Sequence, residues 1–391
     1  MDLSYSDRHQ AFRREIVEFL RNHAHLSPGR GGNAPSWQKL LIERGYAART
    51  IPRAYGGYGA APDILESRIV AEEFARAQVS PGLGGQGISM LVPTLLEMGT
   101  EEQKRRFIGP TLRGEMVWCQ GYSEPNAGSD LASLKTRAVL EADEWVVNGQ
   151  KIWTSTAHLA DWIFCLVRTE PDAPKHHGIS FLLFSMKTPG IDIRPLVDMT
   201  GVANFNEVFF TDVCVPAAQI VGQRGEGWRV ANAILRHERG SLADTNVMLS
   251  RVNALGDLMK HETVDGRRVI DDPVFRDRLM QIQGRVMAMR CNDLRLLSGT
   301  VNKQGVGIAA MIVKLQTTEL RHELEGLAID VMGELGLLYG DTPLLRGGGG
   351  WPRDYMYFLG LIIGGGTSQI QKNIISERGL DMPREPLAAK A

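Results

Sequence analysis

Apolar positions in the first third of the chain recur at helical spacing. Phe12, Ile16, Phe19 and Leu20 stand at i, i+4, i+7 and i+8 with charged residues between them. Similar stretches cover 37–43, 63–77 and 88–98, and the Pro and paired Gly of 51–57 mark a loop between two of them. From about Met116 to Val221 the pattern shortens. Runs rich in β-branched and aromatic residues occupy 116–122, 144–147, 151–153, 162–168, 179–184 and 206–213. Turns rather than helices separate these runs, which predicts an antiparallel β-domain and argues against a Rossmann unit. Asn148-Gly149 within 144–153 predicts a hairpin closed by a type I′ turn. Helical spacing returns after Gly227 and predicts helices over 228–259, 273–298, 308–332 and 368–378. The fold class expected is therefore α+β and multidomain: a helical N-terminal domain (1–115), a middle β-domain (116–222) and a C-terminal helical domain (223–391).

Composition narrows the function classes. With 44 Lys+Arg against 45 Asp+Glu, the formal net charge is -1, so the chain lacks the positive field that nucleic-acid or anionic-membrane binding draws on. Lys104-Arg105-Arg106 follows Glu101 and Glu102 and reads as a solvated helix face. Cys119, Cys165, Cys214 and Cys291 are widely spaced, with neither a CxxC pair nor a His at ligand spacing; neither a disulfide framework nor a metal site is expected. The acidic start, without an apolar h-region or a membrane-length apolar run, leads us to expect a cytoplasmic protein without membrane insertion. Glycine is in excess, at 43 of 391 residues against a usual share of about 7%. Gly347 to Gly350 reads as a mobile loop.

Four segments carry candidate chemistry. Tyr122-Ser123-Glu124-Pro125-Asn126-Ala127-Gly128-Ser129-Asp130 runs from a strand into a turn that leaves backbone N–H groups open to a phosphate or a flat ring; a plain surface turn explains it as well. Lys151-Ile152-Trp153-Thr154-Ser155 sets an indole beside small hydroxyls, suited either to cover a planar cofactor or to pack a strand into the core. Gly364-Gly365-Gly366 precedes Thr367 and Ser368, which read as helix-capping residues; such a loop serves an anion or simply caps a helix. On the helix after Trp228, Ala231, Ile234, Leu235, Leu242, Thr245 and Leu249 form one stripe, and Glu238 falls on it. A carboxylate there is either ion-paired, with Arg236 or Arg239 at hand, or a general base whose pKa is raised by apolar surroundings. Periodicity alone favours the ion pair.

In this order the segments resemble the acyl-CoA dehydrogenase family of flavoproteins, from Tyr55-Gly56-Gly57 to Pro383-Arg384-Glu385. The motifs that carry the resemblance are 122–130, Asn148-Gly149-Gln150-Lys151-Ile152-Trp153, and Gly365-Gly366-Thr367-Ser368-Gln369-Ile370-Gln371-Lys372-Asn373-Ile374-Ile375. The resemblance implies a helical N-terminal domain, a middle β-domain, a C-terminal four-helix bundle, and noncovalent FAD. It places Tyr122, Ser123, Trp153, Thr154 and Ser155 against the flavin ring. Gly128 and Ser129 fall near the pyrophosphate and the acyl-CoA, Thr367 and Gln369 on the cofactor, and Arg239 on the substrate side. It also implies abstraction of the thioester α-proton as hydride leaves the β-carbon, with electrons passing to an electron-transferring flavoprotein.

Many members place the base Glu directly before the Gly-Thr-Ser motif, where this chain has Gly365. A smaller branch, resembling isovaleryl-CoA dehydrogenase, places it on the long helix before the family arginine; that position is Glu238, preceding Arg239. The resemblance thus makes Glu238 the catalytic base. Two departures stand out. The Arg-x-x-Phe-Gly that contacts FAD between subunits is replaced by Glu262-Thr263-Val264-Asp265-Gly266, with Arg267 or Arg268 as substitutes, and Asp330 stands where many relatives have Gln. The assembly expected is a homotetramer or homodimer. The alternatives are a partner subunit in a heteromer, and a flavin monooxygenase on the same fold.

Overall fold

The computed structural model describes residues 5–241, 245–302 and 307–384, with the side chains of 238–241 outside the description. Contacts divide the chain into two compact units, Ser4–Glu238 and Arg239–Ala391.

The first unit begins with five helices: α1 (Asp7–His23), α2 (Ala34–Glu43), α3 (Ile64–Ala77), α4 (Val92–Met98) and α5 (Glu101–Leu112). Their starts follow from capping. Ser6, Asn33 and Asp63 accept N–H groups of the first turns of α1, α2 and α3, while Thr100 and Gln103 form a capping box at α5. The apolar stripe of α1 buries Ile16, Phe19 and Leu20 against Trp37, Leu41, Ile69 and Phe74. Arg13 ties α1 to α3 through Glu72 at 2.7 Å and Glu73 at 2.6 Å.

The β-region holds β1 (Trp118–Gly121), β2 (Arg137–Glu141), β3 (Glu144–Lys151), β4 (Trp162–Arg168), β5 (Ile179–Ser185), β6 (Ile191–Leu196) and β7 (Phe205–Pro216). They form one sheet in the order β1-β4-β2-β3-β7-β6, with β5 on β4. Pairing is mostly antiparallel, but β4 runs parallel to both β1 and β2, so the expected antiparallel sheet is mixed. Both faces of β4 and β5 are covered, which explains their continuous apolar runs. Phe164, Leu166, Phe181 and Leu183 face a core shared with α5 and with Val230, Ala231 and Ile234 of α6 (Gly227–Ser241). Ile163, Cys165, Leu182 and Phe184 face Val208, Phe210 and Val213 of β7.

The hairpin expected at Asn148-Gly149 is not there. β3 continues through both residues, and the register against β7 slips between Val147 and Gly149 in a β-bulge. The turn that closes β2 onto β3 lies at Ala142-Asp143, with Ala142 at φ 51°. Asn148 instead pairs with Asp212 of β7, donating through Nδ2 and accepting from its backbone N–H. The Asn-Gly signature marks irregular backbone, and here the irregularity is a bulge.

The second unit packs α7 (Thr245–His261), α8 (Pro273–Val301), α9 (Val313–Met332) and α10 (Gly350–Ile363) around Leu255, Ile282, Val286, Leu324, Leu327 and Trp351 as a four-helix bundle. A two-stranded hairpin, β8 (Thr263–Val264) with β9 (Arg267–Arg268), follows α7, and α11 (Ser368–Ile374) follows α10. The single helix expected over 228–259 is described as α6 and α7 on either side of 242–244. Those residues, Leu242 of the stripe among them, lie outside the described residues. Helix α10 is not predicted by spacing, because its apolar residues run almost unbroken through 355–363. The glycines before it form a short turn, Arg346–Gly349, that leads into the helix.

Candidate functional site

The ends of β1 and β3 lie together in the first unit. The backbone N–H of Ile152 donates to Ser123 O at 2.9 Å, so the Tyr122-Ser123 and Trp153-Thr154-Ser155 segments are neighbours. A buried ion pair locks them. Lys151 is fully buried and donates to Glu124 Oε1 at 2.8 Å and to Tyr122 O at 3.1 Å. Glu124 also accepts the N–H groups of Lys135 at 2.6 Å and Thr136 at 2.8 Å. Burial opposes ionisation of Glu124, but the Lys151 ammonium and these N–H donors outweigh it and hold the carboxyl below the usual carboxylate range.

Beyond Lys151 the chain turns sharply. Trp153 sits at φ 59° and is 59% exposed, its indole edge against Phe205. A bulky aromatic held in left-handed backbone and left in solvent is a strained arrangement of the kind found at functional positions. Thr154 is fully buried, its N–H bonded to Asn206 O at 3.1 Å and its carbonyl accepting from Asn206 Nδ2 at 2.9 Å. Its hydroxyl Oγ1 has no hydrogen-bond partner among the described residues. Ser155 is half-buried beside it. Tyr122 packs edge-on against Phe164 and Phe181, which fixes its ring. Gly128 and Ser129 are exposed beyond the 124–127 turn, and a Cβ on Gly128 would meet nothing within 4 Å.

Glu238 and Arg239 lie near the end of α6, and their side chains lie outside the described residues. The helix leading to them is anchored: Ala231 and Ile234 are fully buried, and Arg236 and His237 bond Glu97 of α4 at 3.1 and 3.3 Å. Arg236, one of the two arginines offered as an ion-pair partner for Glu238, is thus engaged by Glu97.

Thr367 and Gln369 belong to the second unit. Thr367 is the N-cap of α11, its hydroxyl oxygen accepting from Ile370 N at 3.1 Å. Gln369 is exposed, while Ser368 is buried with its Oγ unpartnered among the described residues. Of the two arginines after β8, Arg268 is held by Asp271 through two bonds of 2.9 and 3.1 Å. Arg267 has no such partner among the described residues, and it lines a cavity of about 460 Å³ with Val264, Asp265 and Phe275. Asp330 pairs with Arg278 at 2.7 Å. Burial pushes the Cys119 and Cys165 thiols up, so neither is a nucleophile at neutral pH.

The motifs contain Glu124 and Lys151 but do not by themselves assign them a role, and Asn206 lies outside those motifs. One signal was available. In β3 the alternation that buries Trp145 and Val147 also turns Lys151 inward, and a lone inward charge calls for a partner. Asn206, likewise fully buried, follows the same alternation in β7 with Val208 and Phe210, but an uncharged amide demands a partner less strongly than an ammonium.

Comparison with known proteins identifies the architecture. The N-terminal, middle and C-terminal domain models of acyl-CoA dehydrogenase match residues 6–115, 119–213 and 225–380. The chain is 40% identical to acyl-CoA dehydrogenase IpdE1 of Mycobacterium tuberculosis, over 90% of this chain and 88% of that protein. It is 37% identical to IpdE1 of Mycolicibacterium smegmatis, over 96% and 98%. Among solved structures, the Tcur3481-Tcur3483 steroid ACAD superposes with TM-score 0.81 at 29% identity, covering 98% of this chain and all of the other. The ChsE4-ChsE5 complex from Mycobacterium tuberculosis does so with TM-score 0.81 at 30% identity and the same coverage. Three family domains in register and relatives of this identity over nearly the full length make the chain a member of the acyl-CoA dehydrogenase family of flavoprotein oxidoreductases.

Proposed function

We propose that the chain is an FAD-dependent dehydrogenase that converts an acyl-CoA thioester to the 2-enoyl-CoA with Glu238 as base, and that it passes electrons to an electron-transferring flavoprotein in the cytoplasm. One observation carries the cofactor reading: the strained, exposed Trp153 beside the buried, unpartnered hydroxyl of Thr154. An indole open to solvent fits one face of a planar ring, and a buried hydroxyl without a partner fits a polar ring edge. When bound, FAD supplies the hydride acceptor. Trp153, Thr154 and Ser155, with Tyr122 and Ser123, hold and orient the ring. Gly128 and Ser129 receive the pyrophosphate and the acyl-CoA, and Thr367 and Gln369 are further cofactor contacts of the C-terminal motif. Arg267 takes the intersubunit contact in place of the missing family arginine, because Arg268 is already held by Asp271. Glu238 accepts the α-proton and Arg239 serves the substrate side. Gly365, at the other base position of the family, has no group to accept that proton.

The test is direct. Purified chain should be yellow, carry FAD, and yield 2-enoyl-CoA when a CoA thioester and an electron acceptor are supplied; colourless protein that neither takes up FAD nor forms product would overturn the proposal. Two solved relatives bear paired names, Tcur3481-Tcur3483 and ChsE4-ChsE5, and one is named a steroid ACAD. They favour a second reading, in which this chain is one subunit of a heteromer acting on a steroid-derived acyl-CoA. Activity that appears only on adding a second family chain would support it over the homomer.

A further inference from the structure

Helix α9 buries an unusual row of polar residues. Lys314, Thr318, Arg321 and Glu325 are all buried, at the spacing of one helix face. Lys314 is 1% exposed, and its ammonium donates to Gly366 O at 2.7 Å and reaches Ile362 O at 3.4 Å. Ile362 lies in the last turn of α10, where carbonyls lack intrahelical partners and a cation is favoured. Gly366 immediately precedes Thr367, the N-cap of α11. One buried side chain on α9 thus holds both the end of α10 and the start of α11.

The loop between them needs such a hold. Gly365 and Gly366 stand at φ 63° and 92°, a conformation that glycine adopts readily and leaves readily. Gln371 of α11 fixes the Gly365 carbonyl from the other side, through Nε2 at 3.2 Å. Among the described residues all peptides are trans, so holding the Gly366 carbonyl sets the plane of the peptide that joins Gly366 to Thr367. Burying an ammonium is costly, and an unbranched apolar side chain would fill the same space without that cost. Packing therefore does not explain a lysine here; the carbonyls it holds do.

We propose that Lys314 is a positioning residue that sets the conformation of the 364–367 loop and, through it, the presentation of Thr367 and Gln369 to the cofactor. The second half of this inference rests on the FAD reading; the first does not. Hydrogen–deuterium exchange on the full chain, with and without added FAD, is compared among wild type, Lys314→Met and Lys314→Arg. In Lys314→Met the amides of 365–371 should exchange at least tenfold faster while the bundle segments 248–259 and 279–289 keep their protection. FAD should bind about tenfold more weakly, and Lys314→Arg should recover part of both losses. Unchanged exchange at 365–371 overturns the inference. So does loss of protection throughout the bundle in both Lys314→Met and Lys314→Arg, which would assign Lys314 to general stability. If wild type binds no FAD, the cofactor reading fails, and the exchange data without FAD still decide whether Lys314 holds the loop.

Discussion

At Lys151, removing the ammonium would leave the Glu124 carboxylate buried with only its backbone N–H donors. Breaking one side of a buried pair costs about 3–5 kcal/mol, so Lys151→Met should lower the denaturant midpoint sharply. The double variant Lys151→Met/Glu124→Gln should recover much of the loss. Acid acts through the same pair. Because the folded-state pKa of Glu124 is depressed, its contribution is fully present above the ordinary carboxylate pKa and is lost as pH falls through the lower folded value. Unfolding followed by tryptophan fluorescence should show that acid-side loss in wild type, and a weaker one in the double variant. Gly128 makes the opposite case. A Cβ there meets no atom of the chain, so Gly128→Ala should change stability by less than about 0.5 kcal/mol while weakening binding of FAD or acyl-CoA. Equal binding by Gly128→Ala would remove Gly128 from the proposed site. The two residues also show how far single positions are legible. The glycine stood out as open backbone in a motif, whereas the role of Lys151 depends on a partner 27 positions away that only the β1–β3 contact reveals.

At the scale of elements, α1, α2 and α3 were legible from their apolar stripes, and the caps at their starts agree with them. Two elements were not. Asn148-Gly149 carries the chemistry of a hairpin turn, but Asp212 on the partner strand meets Asn148 with two hydrogen bonds and turns the irregularity into a bulge. Tertiary pairing, invisible in the local sequence, decides between the two. On the β2 side of the same strand Gly149 stands against Thr136: a Cβ would lie 2.6 Å from its Oγ1 and 2.7 Å from its backbone Cα. Gly149→Ala must therefore displace β3, at a cost of about 1–3 kcal/mol. The thermal midpoint of the purified variant measures it, and an unchanged midpoint would contradict this close approach. Helix α10 escaped notice because a helix apolar on most sides has no stripe to read.

For the whole molecule, the near-neutral charge argued against a nucleic-acid binder, while the enzyme reading came from the motifs' resemblance to acyl-CoA dehydrogenases, which the family match bears out. Among the described residues no helix is long and apolar enough to cross a membrane. The candidate site was legible as motifs, because Tyr122, Trp153 and Thr367 sit in segments of distinctive composition. What holds those motifs in place was not legible, since Glu124, Asn206 and Lys314 act through contacts between distant segments. The role we propose for Glu238 is to supply the carboxylate that Gly365 does not. It is tested by anaerobic mixing of the FAD-loaded protein with its CoA thioester, following flavin absorbance in wild type and Glu238→Gln. The variant should keep its FAD and lose about 10²–10⁴-fold in bleaching rate, as expected for removal of a general base. Bleaching at the wild-type rate would contradict it.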